Sequence, residues 1–187
     1  MLESVTVRGV RAEDFDAIAA ITNHYITSTA IHFGTEPVTA ASLRDSWEKT
    51  AERYPFVVAE AAGPGGTPIL GYAKAGVWRE RAAYAWTPEC GVYVREGTHR
   101  RGIGRAMYTR LFDIMSRQGF RSVVAGATLP NEASVRLHES MGFVPQGVIR
   151  DAGWKFGRWW SVAFFQKMLA AGDAVDVRRV SEVVRSM

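Results

Sequence analysis

The chain has 187 residues, 47% of them hydrophobic and 22% charged, with a formal net charge of +4; this suits one domain with its own core and excludes wholesale disorder. A single cysteine, Cys90, excludes an internal disulfide, no apolar run approaches the roughly 20 residues of a membrane span, and the N-terminus lacks the apolar stretch of a secretory signal. The expectation is a cytoplasmic protein that binds no membrane and, with no basic stripe interleaved with aromatics, no nucleic acid.

Val5 to Val10 alternates weakly and predicts a first strand. Ala12 to Ile26 carries apolar residues at Phe15, Ile18, Ile21 and Tyr25, a helical stripe. Residues 27–37 are a loop containing Gly34 and Pro37, and Thr39 to Arg53 is a second helix through Leu43, Trp47 and Ala51. Phe56 to Ala61 and Ile69 to Val77 then predict a hairpin closed by the breakers Gly63-Pro64-Gly65-Gly66-Thr67. Tyr84 to Val94 reads as the central strand, followed by a loop and a helix to about Arg117.

Further on, Ser122 to Ala127 is a buried strand, Asn131 to Met141 a short helix, and Val144 to Ile149 and Trp160 to Lys167 the last strands. The order β-α-α-β-β-β-α-β-α-β-β predicts an α/β (α+β) fold with a mixed sheet of about six to seven strands and helices on both faces. The domain is expected over 1–168. The tail 169–187 either forms a short helix bearing Val175, Val177, Val180 and Val183 or frays, and no function is read from it.

The stretch Gly91 to Ala106 carries the first chemical inference. Val92-Tyr93-Val94 leads through a basic loop with Gly102 and Gly104 straight into an amphipathic helix. Glycines let the backbone N–H groups approach a ligand, the helix start leaves donors unpaired, and Arg100, Arg101 and Arg105 add charge suited to phosphate. A pyrophosphate fits there, although glycine spacing alone is equally met by a basic turn capping a surface helix. The stretch is neither a P-loop nor a full dinucleotide fingerprint.

Three further places hold side chains of interest. Glu89, between Trp86, Pro88 and Cys90, is either a desolvated acid with a raised pKa, suited to accept a proton, or an exposed strand-end residue. His138, four residues after Ser134 on the helix entered by Asn131, is either a packed histidine or a site residue, and no partners are spaced to make it a metal ligand. Arg79, Arg81 and Tyr84, just ahead of Glu89, are either a solvated aromatic loop or a clamp for an acidic substrate. Trp154, Trp159 and Trp160 cluster near Lys155 and Arg158, as a sheet edge buried in a dimer or the wall of a pocket would.

These motifs carry a resemblance. His99-Arg100-Arg101-Gly102-Ile103-Gly104 resembles the acetyl-CoA loop Gln/Arg-x-x-Gly-x-Gly/Ala of the GNAT superfamily of N-acetyltransferases, departing at its first position. Asn131 to Phe143 is similar to that superfamily's Asn-x-x-Ala/Ser-x-x-Leu-Tyr/His…Gly-Phe segment. From Val5 to Met168 the chain resembles the phosphinothricin and methionine sulfoximine N-acetyltransferase branch. That likeness rests on Asn23-His24-Tyr25-Ile26, Phe33-Gly34-Thr35-Glu36-Pro37, Glu52-Arg53-Tyr54-Pro55, Tyr84-x-Trp86-Thr87-x-Glu89, Leu129-Pro130-Asn131 and Lys155-x-Gly157-x-Trp159.

The resemblance implies a GNAT fold, acetyl-CoA as cosubstrate, no metal, and a homodimer. It implies Glu89 as general base and His138 as a second acid/base or positioning group near the thioester. Val92, Tyr93, Val94, Arg100, Arg101, Gly102, Ile103, Gly104, Arg105, Asn131 and Ser134 would contact the cofactor; Phe33, Arg79, Arg81 and Tyr84 would bind a small amino-acid acceptor. Direct transfer in a ternary complex would leave Cys90 without a nucleophilic role. Two alternatives stand beside acetylation of such an amino acid: another amine, such as a peptide N-terminus, polyamine or antibiotic, and a silent CoA-binding module.

Overall fold

The structure, a computed structural model, describes residues 5–61 and 68–187; the expected turn at Gly63 to Thr67 lies outside them. The strands are β1 (Val5–Gly9), β2 (Phe56–Ala61), β3 (Ile69–Gly76), β4 (Glu89–Val94), β5 (Ser122–Leu129), β6 (Val144–Lys155) and β7 (Arg158–Met168). They form one mixed sheet in the order β1-β2-β3-β4-β5-β7-β6. Neighbours are antiparallel except β4 and β5, which pair in parallel and only at Glu89↔Val124 and Cys90↔Ala125.

Two helices cover one face of the sheet. In α1 (Phe15–Ser28) the apolar stripe buries Phe15, Ile18, Ile21 and Tyr25 against Val58, Ile69 and Tyr72. Its start is fixed by Arg8, which donates to the two Asp14 carboxylate oxygens at 2.7 and 2.8 Å. Burial alone would raise the Asp14 pKa, but the hydrogen bonds from Arg8 and from the Arg11 backbone outweigh it and hold the carboxyl below its ordinary value. The second helix, α2 (Ala40–Glu48), is capped by Thr39, whose hydroxyl accepts the Ser42 N–H at 3.1 Å. It ends well short of Arg53 because residues 50–54 fold into turns ahead of Pro55.

The opposite face is covered by α3 (Ile103–Gln118) and α4 (Glu132–Ser140). Met107, Tyr108, Leu111 and Met115 of α3 are fully buried on Ala73, Ala75, Val123 and Ala125. Because cross-strand partners share a face, the register Tyr72↔Tyr93, Lys74↔Gly91 and Gly76↔Glu89 sends those side chains to the α1–α2 face. Ala73, Cys90, Val92 and Val94 consequently point to the α3–α4 face, where they meet the core.

Three other expectations change. The central strand begins at Glu89 and not at Tyr84, because Ala82–Tyr84 is a 3-10 turn continued by the Thr87 N–H bonding to the Tyr84 carbonyl. The last two strands are longer than expected, since Phe156 and Gly157 both take positive φ, 53° and 72°, and close a two-residue hairpin of primed type between them. In the tail only α5 (Val180–Arg185) is helical, with Val183 buried; Val175 and Val177 precede it. That tail packs back on the body, with Gln118 donating to the Arg178 carbonyl at 2.8 Å and Trp86 to the Val175 carbonyl at 2.6 Å.

Candidate active site

The parting of β4 from β5 opens the sheet beside α3. The Arg95 N–H bonds to the Leu70 carbonyl and the Val124 N–H to the Pro88 carbonyl. Alternation along β4 therefore turns the backbone groups of Gly91 and Tyr93 toward β3 and those of Val92 and Val94 toward the gap. Tyr93, expected beside them as a cofactor contact, is thus turned away, and its ring lies on the α1–α2 side. The Val94 carbonyl already accepts the Tyr25 hydroxyl at 2.7 Å, and that hydroxyl lies 3.1 Å from His99 Nε2. His99, the departing first position of the glycine loop, pins the loop to α1.

Gly102 precedes α3 with φ of 75°, a left-handed conformation that costs a side-chain-bearing residue about 1–2 kcal/mol. No side chain caps the helix, and among the described residues nothing accepts the N–H groups of Ile103, Gly104 and Arg105. A Cβ on Gly104 would sit 3.2 Å from Leu137 Cδ2, so this glycine lets α3 and α4 close together. A cleft of about 840 Å³ lies over these donors, lined by Val94, His99, Arg100, Gly102 and Arg136 among others. Unpaired N–H groups, the positive end of the α3 dipole and Arg100 make it an anion site that fits the pyrophosphate of acetyl-CoA. Arg105 also lines the cleft, but its Nη1 is turned to the Ser140 carbonyl at the end of α4, 3.4 Å away. Arg101 is exposed.

Asn131 and Ser134 are engaged within α4: the Asn131 Oδ1 accepts the Ser134 N–H at 3.1 Å. His138 is buried and stacked on Phe165, ring centroids 5.2 Å apart. Its Nδ1 donates to the Ser134 carbonyl at 2.8 Å, which leaves Nε2 to accept the Tyr108 hydroxyl at 3.1 Å. Burial lowers its pKa against the opposing effect of the Ser134 bond, so the ring is held neutral with both nitrogens occupied. It lies on the α3–α4 side with Phe165, across the sheet from Glu89, and the structure does not bring the two together on one face.

Glu89 stands half-buried where β4 and β5 last pair, on the α1–α2 side. Gly126 on β5 leaves space beside it, since a Cβ there would lie 3.8 Å from Oε1. Desolvation raises its pKa, and the cations of Arg79 and Lys74 offset only part of that rise. The loop ahead of it holds Arg79 over the Trp78 ring at 5.4 Å and Tyr84 edge-on to the same ring at 5.2 Å. With Arg81 they line an open cleft of about 590 Å³. Arg53 fixes this loop by donating to the Ala85 carbonyl at 2.8 Å.

A narrower cleft of about 260 Å³ runs between α1, α2 and the sheet, lined by Thr22, His32, Trp47, Tyr72, Lys74 and Tyr93 among others. Phe33, the expected pocket residue, packs its ring where a Cβ on Gly153 would fall, and leaves the lining of this cleft to its neighbour His32. Sequence reasoning missed both His32 and Lys74. A lysine in the otherwise apolar run Ile69 to Val77 was a usable signal; nothing in the loop distinguished His32. Among the described residues no cluster of His, Cys, Asp and Glu could hold a metal ion, and no helix is long and apolar enough to cross a membrane.

Comparison with known proteins identifies the family. The acetyltransferase (GNAT) domain family matches residues 7–163. The chain is 44% identical over 163 residues to a phosphinothricin N-acetyltransferase of Streptomyces viridochromogenes, covering 87% of each. It is 35% identical over 174 residues to an L-methionine sulfoximine/L-methionine sulfone acetyltransferase of Salmonella typhimurium, covering 92% of this chain and 99% of that protein. A phosphinothricin acetyltransferase of Sinorhizobium meliloti, solved in complex with acetyl-CoA, superposes with a TM-score of 0.84 at 29% identity, covering 92% of each chain.

Proposed function

Because the chain belongs to the GNAT acetyltransferase family, we propose that it acetylates the α-amino group of a small amino acid of the phosphinothricin, methionine sulfoximine or methionine sulfone class. Relatives named for those acceptors support this reading. One observation carries it: Glu89 stands, partly desolvated, at the last rungs joining β4 to β5, within the field of the cations of Arg79 and Lys74.

Acetyl-CoA supplies an acetyl group already activated as a thioester. The chain's part is to hold and to move protons. The N–H groups opening α3, with Arg100 and Arg101, hold the pyrophosphate, and the outward backbone groups of Val92 and Val94 align the pantetheine arm. Arg79, Arg81 and Tyr84 clamp the α-carboxylate of the acceptor. Glu89, directly or through water, takes the proton that an ammonium must lose before its nitrogen can attack. Transfer is direct: the Cys90 thiol is buried on the α3–α4 face with its pKa pushed up to about 12, an unsuitable nucleophile. His138, with both ring nitrogens occupied, positions α4 against α3.

The same reading makes the chain a homodimer. Val144, Val148, Ile149, Trp154 and Trp159 are each more than half exposed along β6 and β7, and β6 is one of the two edge strands of the sheet.

Thiol release from acetyl-CoA across an acceptor panel tests the reading. Saturable turnover is expected with phosphinothricin, methionine sulfoximine or methionine sulfone. Turnover of a peptide N-terminus or a polyamine but of none of these would overturn it. Tight CoA binding with no turnover at all would leave a silent CoA-binding module.

A further inference from the structure

We infer that Lys74 and His32 form a receptor for an anionic head group on the acceptor's side chain, so that the site selects amino acids with a second acid over those with a neutral polar head. This rests on the amino-acid acetylation proposed above and adds to it a subsite apart from the loop of Arg79, Arg81 and Tyr84.

Placement comes first. Lys74 pairs with Gly91 and Glu89 with Gly76, so the two side chains rise from the same face as diagonal cross-strand neighbours, with origins on the order of 7 Å apart. A group held by the Lys74 ammonium is therefore a few bonds from an amine held by Glu89. That is the separation of the α-nitrogen from the end of a short amino-acid side chain. The narrow cleft that Lys74 lines is walled mainly by aromatic and aliphatic side chains, with the hydroxyls of Thr22, Ser46 and Thr50 among them; that of Thr22 is already paired with Tyr72 at 2.8 Å and that of Thr50 with carbonyls of α2.

Charge comes second. Among the described residues no carboxylate or carbonyl lies within hydrogen-bonding distance of the Lys74 ammonium; Glu89 acts on it only through space. Lys74 is exposed to solvent at the cleft, and the neighbouring protein lowers its pKa by desolvation. A cation with no protein partner is free to take an anion brought by a ligand.

His32 completes the receptor. The Gly34 N–H donates to His32 Nδ1 at 2.9 Å, so the neutral ring carries its proton on Nε2 and is a donor there. Burial first, and then the charges of Lys155 and Lys74, hold the ring neutral. Its position is fixed from behind: the buried Lys155 ammonium donates to the Ile26 carbonyl, at the end of α1, and to the His32 carbonyl at 2.6 Å. One cation and one neutral donor facing a small cleft suit a phosphinate, a carboxylate or a sulfonate. A sulfone or sulfoximine offers no net negative charge to match them.

Comparison of kcat/KM for phosphinothricin and methionine sulfone, in the natural chain and in Lys74→Gln, tests this. The natural chain is expected to favour phosphinothricin, and Lys74→Gln to lower that preference by about 10- to 100-fold, chiefly through the KM of phosphinothricin. Lys74→Arg, which keeps the charge, should restore most of it, and His32→Asn should lower it less. The ratio is internal to each preparation, so a misfolded fraction cancels, as does any shared effect of Lys74 on the Glu89 carboxylate. A ratio unchanged within twofold in Lys74→Gln, or a natural chain that turns over both acceptors equally, overturns this subsite alone. A chain that acetylates neither amino acid overturns the amino-acid reading, and this inference falls with it.

Discussion

The carboxylate of Glu89 has two cations near it and, among the described residues, an ion pair with neither; its pKa is set by a contest between burial, which wins, and the fields of Arg79 and Lys74. A base of this kind has a consequence for pH. Its unprotonated form is needed, so kcat/KM should fall on the acid side through a pKa above the ordinary glutamate value. Replacing Arg79 by Met removes a positive charge that favours the carboxylate, so the acid limb should move up; a limb that stays put or moves down would mean the limb does not report Glu89. Of the two readings the sequence offered for Glu89, the structure favours the desolvated acid with a raised pKa; its role as base came from the family resemblance alone. The engagement of His138 was not legible in the sequence. Its ring is held by Tyr108, Ser134 and Phe165, and of these only Ser134 sits at a spacing the sequence displays as a helical neighbour.

Local pattern predicted most elements well, and the failures lie where tertiary context takes over. The helical stripe from Phe15 to Tyr25 and the bounds of β2 needed only periodicity. The long β6–β7 hairpin was missed because its turn places Phe156, a residue with no turn propensity, at positive φ beside Gly157. That hairpin does two things. Its Gly153 and Lys155 hold the loop of Phe33 and His32, and its outer residues leave Trp154 and Trp159 packed edge-on to each other and exposed. If this edge joins two copies, Trp154→Glu with Trp159→Glu should convert the protein from a dimer to a monomer in sedimentation or size analysis at micromolar concentration. A natural chain that already sediments as a monomer at that concentration contradicts the dimer.

Across the whole molecule the sheet separates two working faces. One, under α3 and α4, offers unpaired backbone donors and arginine to a phosphate-bearing molecule; the other, under α1 and α2, offers Lys74, His32 and a narrow aromatic cleft to a small one. β4 and β5 part between these faces, and Glu89 is the titratable side chain at that point on the α1–α2 side. The donor half was legible because a strand, a glycine loop and a helix are contiguous in the chain. The narrow cleft is assembled from α1, the loop after it, α2 and three strands, and neither periodicity nor spacing reveals such long-range assembly. The central claim is that Glu89 takes the proton of an amino-acid amine at this opening, and steady-state kinetics of Glu89→Gln with acetyl-CoA and phosphinothricin test it most directly. The account predicts a loss in kcat on the order of 10²- to 10⁴-fold, together with loss of the acid limb of the pH profile; a variant within threefold of the natural rate, with its pH profile intact, would contradict it.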